Sequence, residues 1–332
     1  MEFQWTIEMV SLLKTNNPVN YKRKIKVNDI RFDGKVVIIT GAGGGLGRAY
    51  ALEFAKRGAR VVVNDLGSSG TGEGTSASAA EKMVNDIKAL GGDAVANYDS
   101  VEYGEKIVQT AIDHYGRVDI VINNAGILRD SSFAKMQDKD WELIYKVHVD
   151  GAYKVTRAAW PYMLKQGFGR IIFTTSAAGI YGNFGQANYS SAKSALIGLG
   201  RTLAIEGGRK NILSNVIAPI AGSRMTETIW PEEILKATSP DFVVPLVVKL
   251  CAEDNTENGS VIEVGASWFA KIRIERTEGY AFGIDNPVTA EDVASKWDII
   301  CDFVNSGPAE SLSSTFDAVG KMVGIDLINA KK

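Results

Sequence analysis

Val36-Val37-Ile38-Ile39-Thr40-Gly41-Ala42-Gly43-Gly44-Gly45-Leu46-Gly47 decides how this 332-residue chain is read. A β-branched apolar run stops at a Gly-rich turn, and an amphipathic stretch of helical length, 46–57, follows. That order predicts a buried strand, a tight turn and a helix. A turn with few side chains lets backbone N–H groups face a phosphate, and the helix N-terminus adds partial positive charge. The glycines at 41, 45 and 47 depart from the common G-x-G-x-x-G spacing. The place of the turn, between strand and helix, is what gives it weight as a dinucleotide cradle.

Working outward, short apolar runs recur at 61–63, 94–96, 118–122, 171–174, 213–218 and 261–264. Helix-length segments lie between them at 76–90, 104–115, 140–165 and 189–207. Such alternation predicts an α/β fold, a doubly wound parallel sheet covered on both faces. The Gly-, Ser- and Thr-rich stretch 67–78 reads as a surface loop, and 220–240, with Pro231 and Pro240, as an insertion over the sheet's C-terminal edge. Past about residue 276 the rhythm stops. Residues 288–303 read as one helix capped by Thr289, with Glu291 and Asp292 in its first turn, and 307–314 as linker.

Asp65 ends the second predicted strand, eighteen residues after Gly47. A carboxylate there can accept both adenosine-ribose hydroxyls and would repel a 2′-phosphate, so the expected cofactor is NAD rather than NADP. Gly41, Gly45, Leu46 and Gly47 are expected on the cofactor, with Asp99, Ser100 and Val101 where an adenine would rest. Asn124, Ala125 and Gly126 follow the fourth strand, where small residues allow close backbone approach. Asn123 reads equally well as purely structural.

Tyr189 and Lys193 are four apart, hence on one face of a helix, and Ser176 ends the fifth strand. A phenol titrates near 10 and is a poor base at neutral pH; a neighbouring ammonium favours the phenolate. Ser176 can hydrogen-bond a substrate oxygen. Read with the nucleotide half, the trio points to alcohol–ketone redox chemistry.

These motifs resemble the short-chain dehydrogenase/reductase family: T-G-x-x-x-G-x-G at 40–47, N-N-A-G at 123–126, Ser176, and Y-x-x-x-K at 189–193. The likeness spans residues 31–265. Narrower stretches, 62–67, 96–101, 180–189, 221–226 and 275–277, resemble the dehydrogenase unit of peroxisomal multifunctional enzymes of type 2. That resemblance implies a Rossmann sheet and NAD-dependent oxidation of (3R)-3-hydroxyacyl-CoA to 3-ketoacyl-CoA in fatty-acid β-oxidation. It also implies a homodimer through the helices 140–165 and 189–207. Tyr189 would then be the base, Ser176 the holder of the substrate oxygen, and Lys193 the tuner of the phenol and a contact of the nicotinamide ribose. His148 stands where the broad family usually has an Asn that relays protons to the lysine; relay and packing are both open readings. Ala221, Gly222 and Ser223 replace part of the family's Pro-Gly turn and would meet the nicotinamide. Arg224 and Lys271 are candidate outer contacts of an acyl-CoA, surface ion pairing being the plainer reading. Two other functions fit: a dehydrogenase of a hydroxysteroid or other secondary alcohol, and a non-catalytic NAD-binding interaction module.

The rest of the chain narrows the classes. Thirty-seven basic against 39 acidic residues leave a net charge of −2, no footprint for nucleic acid. Cys251 and Cys301 lack metal-ligand spacing, so no metal is expected, and a reducing compartment is the plain reading. No apolar run has the length of a membrane span. The expected organisation is an N-terminal arm over 1–30, the dehydrogenase domain over 31–275 and a C-terminal helical extension over 276–332. The resemblance implies a peroxisomal location, against which the last residues carry no Ser-Lys-Leu-type address; the alternative is cytoplasmic.

Overall fold

Runs of Val and Ile too short for helices, and apolar on both faces, have one outlet: a parallel sheet with helices on either side. The computed structural model has that architecture and describes residues 29–222, 231–285, 287–309 and 311–324. The expected N-terminal arm, apart from its last two residues, lies outside them. So do Ser223 and Arg224.

The strands are β1 (Val36–Thr40), β2 (Arg60–Asn64), β3 (Asp93–Asn97), β4 (Ile120–Asn123), β5 (Gly169–Thr174), β6 (Ile212–Pro219), β7 (Val261–Gly265) and β8 (Trp268–Ile272). They form one sheet in the order β3-β2-β1-β4-β5-β6-β7-β8. Every pair is parallel except β7 with β8. The last, antiparallel strand was not expected: Trp268 and Phe269 are exposed, and its run lacks the apolar continuity of the buried strands.

The helices before and between these strands are α1 (Gly45–Lys56), α2 (Ser78–Ala89), α3 (Gly104–Tyr115), α4 (Asp138–Tyr145), α5 (Gly151–Gln166), a short α6 (Ala177–Tyr181) and α7 (Ala187–Gly207). One face of the sheet packs Ile107, Val108, Val155, Ala159, Met163 and Leu196 from α3, α5 and α7 into a continuous core. The segment expected as one helix over 140–165 is α4 and α5 joined by a π-helical turn, Lys146–Asp150. Wide turns of this kind recur at functional sites, and His148 sits in this one.

After β6 come α8 (Glu232–Ala237) and α9 (Val244–Cys251). The extension departs from the expected pattern in two ways. Residues 288–303 form two short helices, α10 (Ala290–Ser295) and α11 (Trp297–Ile300), divided at Lys296; the Thr289 cap is present as a reciprocal pair with Asp292. The stretch expected as linker holds β10 (Gly307–Pro308), paired with β9 (Glu275–Arg276), and the start of α12 (Leu312–Val323), capped by Ser311. Helix periodicity over 288–303 was real, but the turn at Lys296 is invisible to it.

The parallel topology fixes the site. All the turns after β1, β2, β4, β5 and β6 open at the same sheet edge, and the strand order reverses between β1 and β4. A crevice at that edge is where such sheets bind ligands.

Candidate active site

A cavity of about 390 Å³ occupies the crevice. Its lining includes Gly41, Gly45 and Leu46 from the first turn and Asp65 from the end of β2. Asp99, Ser100 and Val101 follow β3, Asn124, Ala125 and Gly126 follow β4, and Ala221 and Gly222 follow β6. The structure therefore brings most of the expected cofactor residues around one space.

Their parts in it differ. Asp65 is fixed by two backbone donors, Gly43 N at 2.7 Å to Oδ2 and Gly67 N at 2.7 Å to Oδ1. A carboxylate so held presents its charge without a flexible side chain's entropy cost. Gly47, expected on the cofactor, lies beneath the turn instead. A Cβ on it would come within 2.1 Å of the Gly41 carbonyl oxygen, so its work is close packing of α1 against β1. Asn124 lines the cavity, but its Nδ2 donates to the carbonyls of Thr40 at 3.0 Å and Gly41 at 3.2 Å. Its side chain thereby stitches β4 to the first turn. Asn123 donates to Thr156 Oγ1 at 2.9 Å, the structural reading. Ser100 caps the turn after β3 by accepting from Glu102 N.

Sequence reasoning missed one wall altogether. Ser68, Ser69, Gly70 and Gly72, read as an outward surface loop, line the cavity, as do Ile127 and Leu143. Composition marks such a stretch as a loop and says nothing of which way it folds.

The chemical residues sit beside this cavity. Tyr189 and Lys193 are one turn apart on α7, with Lys193 Nζ 5.5 Å from the centre of the Tyr189 ring. Ser176 caps α6, its hydroxyl accepting from Ala178 N at 3.2 Å, and it acts to lower the pKa of Tyr189. The Lys193 ammonium donates to the Thr174 carbonyl at 2.7 Å. Burial pushes Lys193 down to about 7. Burial likewise pushes the Tyr189 phenol up to about 12, against the lowering effect of Ser176, and the Asp130 charge adds to the rise. In the protein alone, burial is the largest influence on Tyr189 and outweighs any favouring of the phenolate that the sequence led one to expect from Lys193.

His148 is buried and meets Tyr189 edge-on, ring centres 5.4 Å apart. Its Nε2 stands 3.1 Å from Ile127 N and 2.9 Å from Ile127 O, contacts that require opposite tautomers. Burial and the Lys193 charge hold it well below the usual histidine range, so the ring is neutral. A small second cavity borders His148 and Lys193 and shares Val101, Ala125 and Val147 with the large one. Of the two outer basic residues, Lys271 is paired with Glu257 at 2.7 Å, the surface ion-pair reading.

A doubly wound sheet, a glycine turn at its switch point and a Ser–Tyr–Lys cluster define a dehydrogenase, and residues 35–233 match the short chain dehydrogenase family. The chain belongs to that family. It is 59% identical over 294 residues to peroxisomal multifunctional enzyme A of Dictyostelium discoideum, covering 87% of this chain and 66% of that one. The full-length peroxisomal multifunctional enzyme type 2 of Drosophila melanogaster superposes with a TM-score of 0.77 at 41% identity, over 89% of this chain and 50% of that one. A 7α-hydroxysteroid dehydrogenase complexed with NADH and 7-oxo glycochenodeoxycholic acid superposes with a TM-score of 0.64 at 31% identity, over 71% and 94% of the two chains. The chain thus spans between half and two thirds of the two multifunctional relatives.

Proposed function

We propose that this chain oxidises (3R)-3-hydroxyacyl-CoA to 3-ketoacyl-CoA with NAD. The observation that carries the reading is the convergence of Ser176, Tyr189 and Lys193 beside a cavity walled by the glycine turn and Asp65. The likeness to the peroxisomal multifunctional enzymes supports the acyl-CoA substrate and a peroxisomal location.

The residues present fit the cofactor. The glycine turn leaves room for a pyrophosphate, Asp65 offers two fixed oxygens to ribose hydroxyls, and Ala125, Gly126, Ala221 and Gly222 form walls of small residues for the nicotinamide end. With Asp65 already anchored, a 2′-phosphate would meet a carboxylate that cannot swing away, which supports NAD over NADP. When bound, oxidised nicotinamide supplies the acceptor for the hydrogen and electron pair leaving C3, and adds positive charge to the site.

The protein's own groups handle the proton. Tyr189 Oη takes it from the substrate hydroxyl as general base, and that requires its pKa to fall from about 12. Lys193, held at the junction of β5 and α7, supplies that field in its charged form and offers N–H donors to ribose hydroxyls. Ser176, fixed as the α6 cap, donates to the substrate oxygen as its charge develops. His148, neutral and unsatisfied at Nδ1, lies behind Tyr189 where a proton could be passed inward. The active form is a homodimer through α5 and α7, which light scattering of the purified chain tests: a mass of one chain at micromolar concentration overturns it.

The substrate reading is tested by NADH formation with 3-hydroxyacyl-CoA against a free secondary alcohol and a hydroxysteroid. Preference for the thioester supports it. Turnover of the steroid alone replaces it with the sister activity. NADH binding without turnover of any of them leaves a binding module.

A further inference from the structure

The wall formed by the stretch after β2 is a closed loop over the cavity. Residues 67–76 leave β2, travel over the cavity and return to their starting point. At the neck, Ser76 N donates to the Leu66 carbonyl at 3.1 Å. A Cβ on Gly67 would lie 1.9 Å from the Ser76 carbonyl oxygen, so the neck is drawn as tight as backbone allows. Ser68, Ser69, Gly70 and Gly72 face the cavity. At Gly72 the tip touches the far wall: a Cβ there would come within 2.9 Å of Ile127 Cδ1. A compact loop with a closed neck is an Ω-loop, a form that is frequently functional.

Among the described residues, the polar contacts that tie down the tip come from one segment. Leu128 N donates to the Gly70 carbonyl at 3.0 Å. The Arg129 guanidinium donates from Nε to the Thr71 carbonyl at 2.7 Å and from Nη2 to Glu73 Oε1 at 3.2 Å. Its Nη1 faces Asp140 on α4 at 3.7 Å. Three partners around one planar fork is an arrangement lysine cannot reproduce. The backbone of the same residue holds the chemical side: Asn188 Nδ2 donates to the Arg129 carbonyl at 3.0 Å, and Asn188 Oδ1 accepts from Tyr189 N at 2.7 Å. Asn188 is fully buried, so this strut is rigid.

We propose that residues 67–76 are a lid over the cofactor and that Arg129 is its latch, a positioning residue that sets how fast the cofactor leaves. The inference rests on the reading of the cavity as a nicotinamide-cofactor site. Lid opening limits turnover in many enzymes, so a weakened latch acts on release before it acts on chemistry. Replacing the Arg129 side chain leaves its carbonyl, and hence the Asn188–Tyr189 strut, in place.

The test is stopped-flow displacement of NADH from wild type, Arg129→Ala, Arg129→Lys and Glu73→Gln, with kcat and the KM for NAD measured alongside. The expected result is release about tenfold faster in Arg129→Ala, a KM for NAD raised by a like factor, and an unchanged pH profile of kcat. Arg129→Lys falls between it and wild type. Glu73 is 72% exposed, so Glu73→Gln loosens the latch without threatening the fold, and a rise of about twofold is expected. Release within experimental error of wild type in all three variants overturns the latch. A fall in kcat with unchanged release also overturns it and assigns Arg129 to the placement of Tyr189. Failure of wild type to bind NADH would instead sink the cofactor reading itself, so the two failures are distinguishable.

Discussion

The two sides of the crevice are made of different material. The side from β1 to β4 meets its ligand with backbone, glycines and one carboxylate anchored by two backbone N–H groups. The side from β5 to α7 offers a half-buried phenol and a buried ammonium whose proton affinities are displaced by desolvation, Tyr189 to about 12 and Lys193 to about 7. In the proposed function the first side recognises by shape, and its faults should appear as lost cofactor affinity. The second is proposed to work by proton affinity, and its faults should appear in rate and pH dependence.

The largest effect is expected on the chemical side. Tyr189→Phe removes the proposed proton acceptor and keeps the ring against His148. It should lower kcat by about a thousandfold while NADH affinity, read by fluorescence titration, changes little. Equal loss of both would erase the distinction between the two sides.

On the cofactor side the strongest break is Gly47→Ala. Its Cβ would meet the Gly41 carbonyl oxygen, a backbone atom that can only move by distorting the turn. Overpacking of this kind costs about 1–3 kcal/mol. NADH affinity should drop by about tenfold or more, and kcat at saturating cofactor by much less. A retained affinity would mean the turn does not hold the cofactor.

Asp65→Asn is milder. It keeps the side chain's size, removes the charge and leaves one oxygen for the Gly43 and Gly67 donors. The ratio of kcat/KM for NAD over NADP should fall by about tenfold, mostly through KM. An unchanged ratio would move cofactor discrimination elsewhere in the cavity.

The smallest effect is on stability. Lys193 titrates at about 7 in the fold against 10.5 for the free side chain. Between these values the unfolded chain binds more protons than the folded one, so stability rises with pH from this residue. Below about 7 both states are protonated and the penalty of burying the charge is constant. From pH 7 to 8.5 the rise is on the order of 1–2 kcal/mol. Lys193→Met should flatten it, as denaturant unfolding at the two pH values would show. Tyr189 acts in the opposite sense at higher pH: the fold keeps its proton up to about 12, so its contribution is lost as pH climbs above 10. An unaltered slope in Lys193→Met would place the lysine's charge in solvent.

Much of this was legible before the structure. The strand–turn–helix at 36–57 and the alternation after it carry the doubly wound sheet, because parallel strands must be apolar on both faces. The residues around the cavity were legible for the same reason, since they stand at the ends of those strands. What was not legible concerns direction and fine division. Gly47 and Asn124 belong to the cofactor motifs, yet one packs a helix and the other ties two strand ends, and spacing does not separate those roles from ligand contact. The loop 67–78 carried the composition of any surface loop, while its contacts over the cavity are with Leu128 and Arg129, some fifty residues on. Periodicity over 288–303 concealed a turn, and β8 escaped because an antiparallel edge strand with exposed Trp268 and Phe269 lacks the signature of its neighbours.

The most direct test of the central claim follows NADH formation from NAD with matched (3R)- and (3S)-3-hydroxyacyl-CoA, in wild type and Tyr189→Phe. The account predicts turnover of the (3R) compound alone, abolished by the substitution. Turnover of the (3S) compound, or activity that survives in Tyr189→Phe, would contradict it.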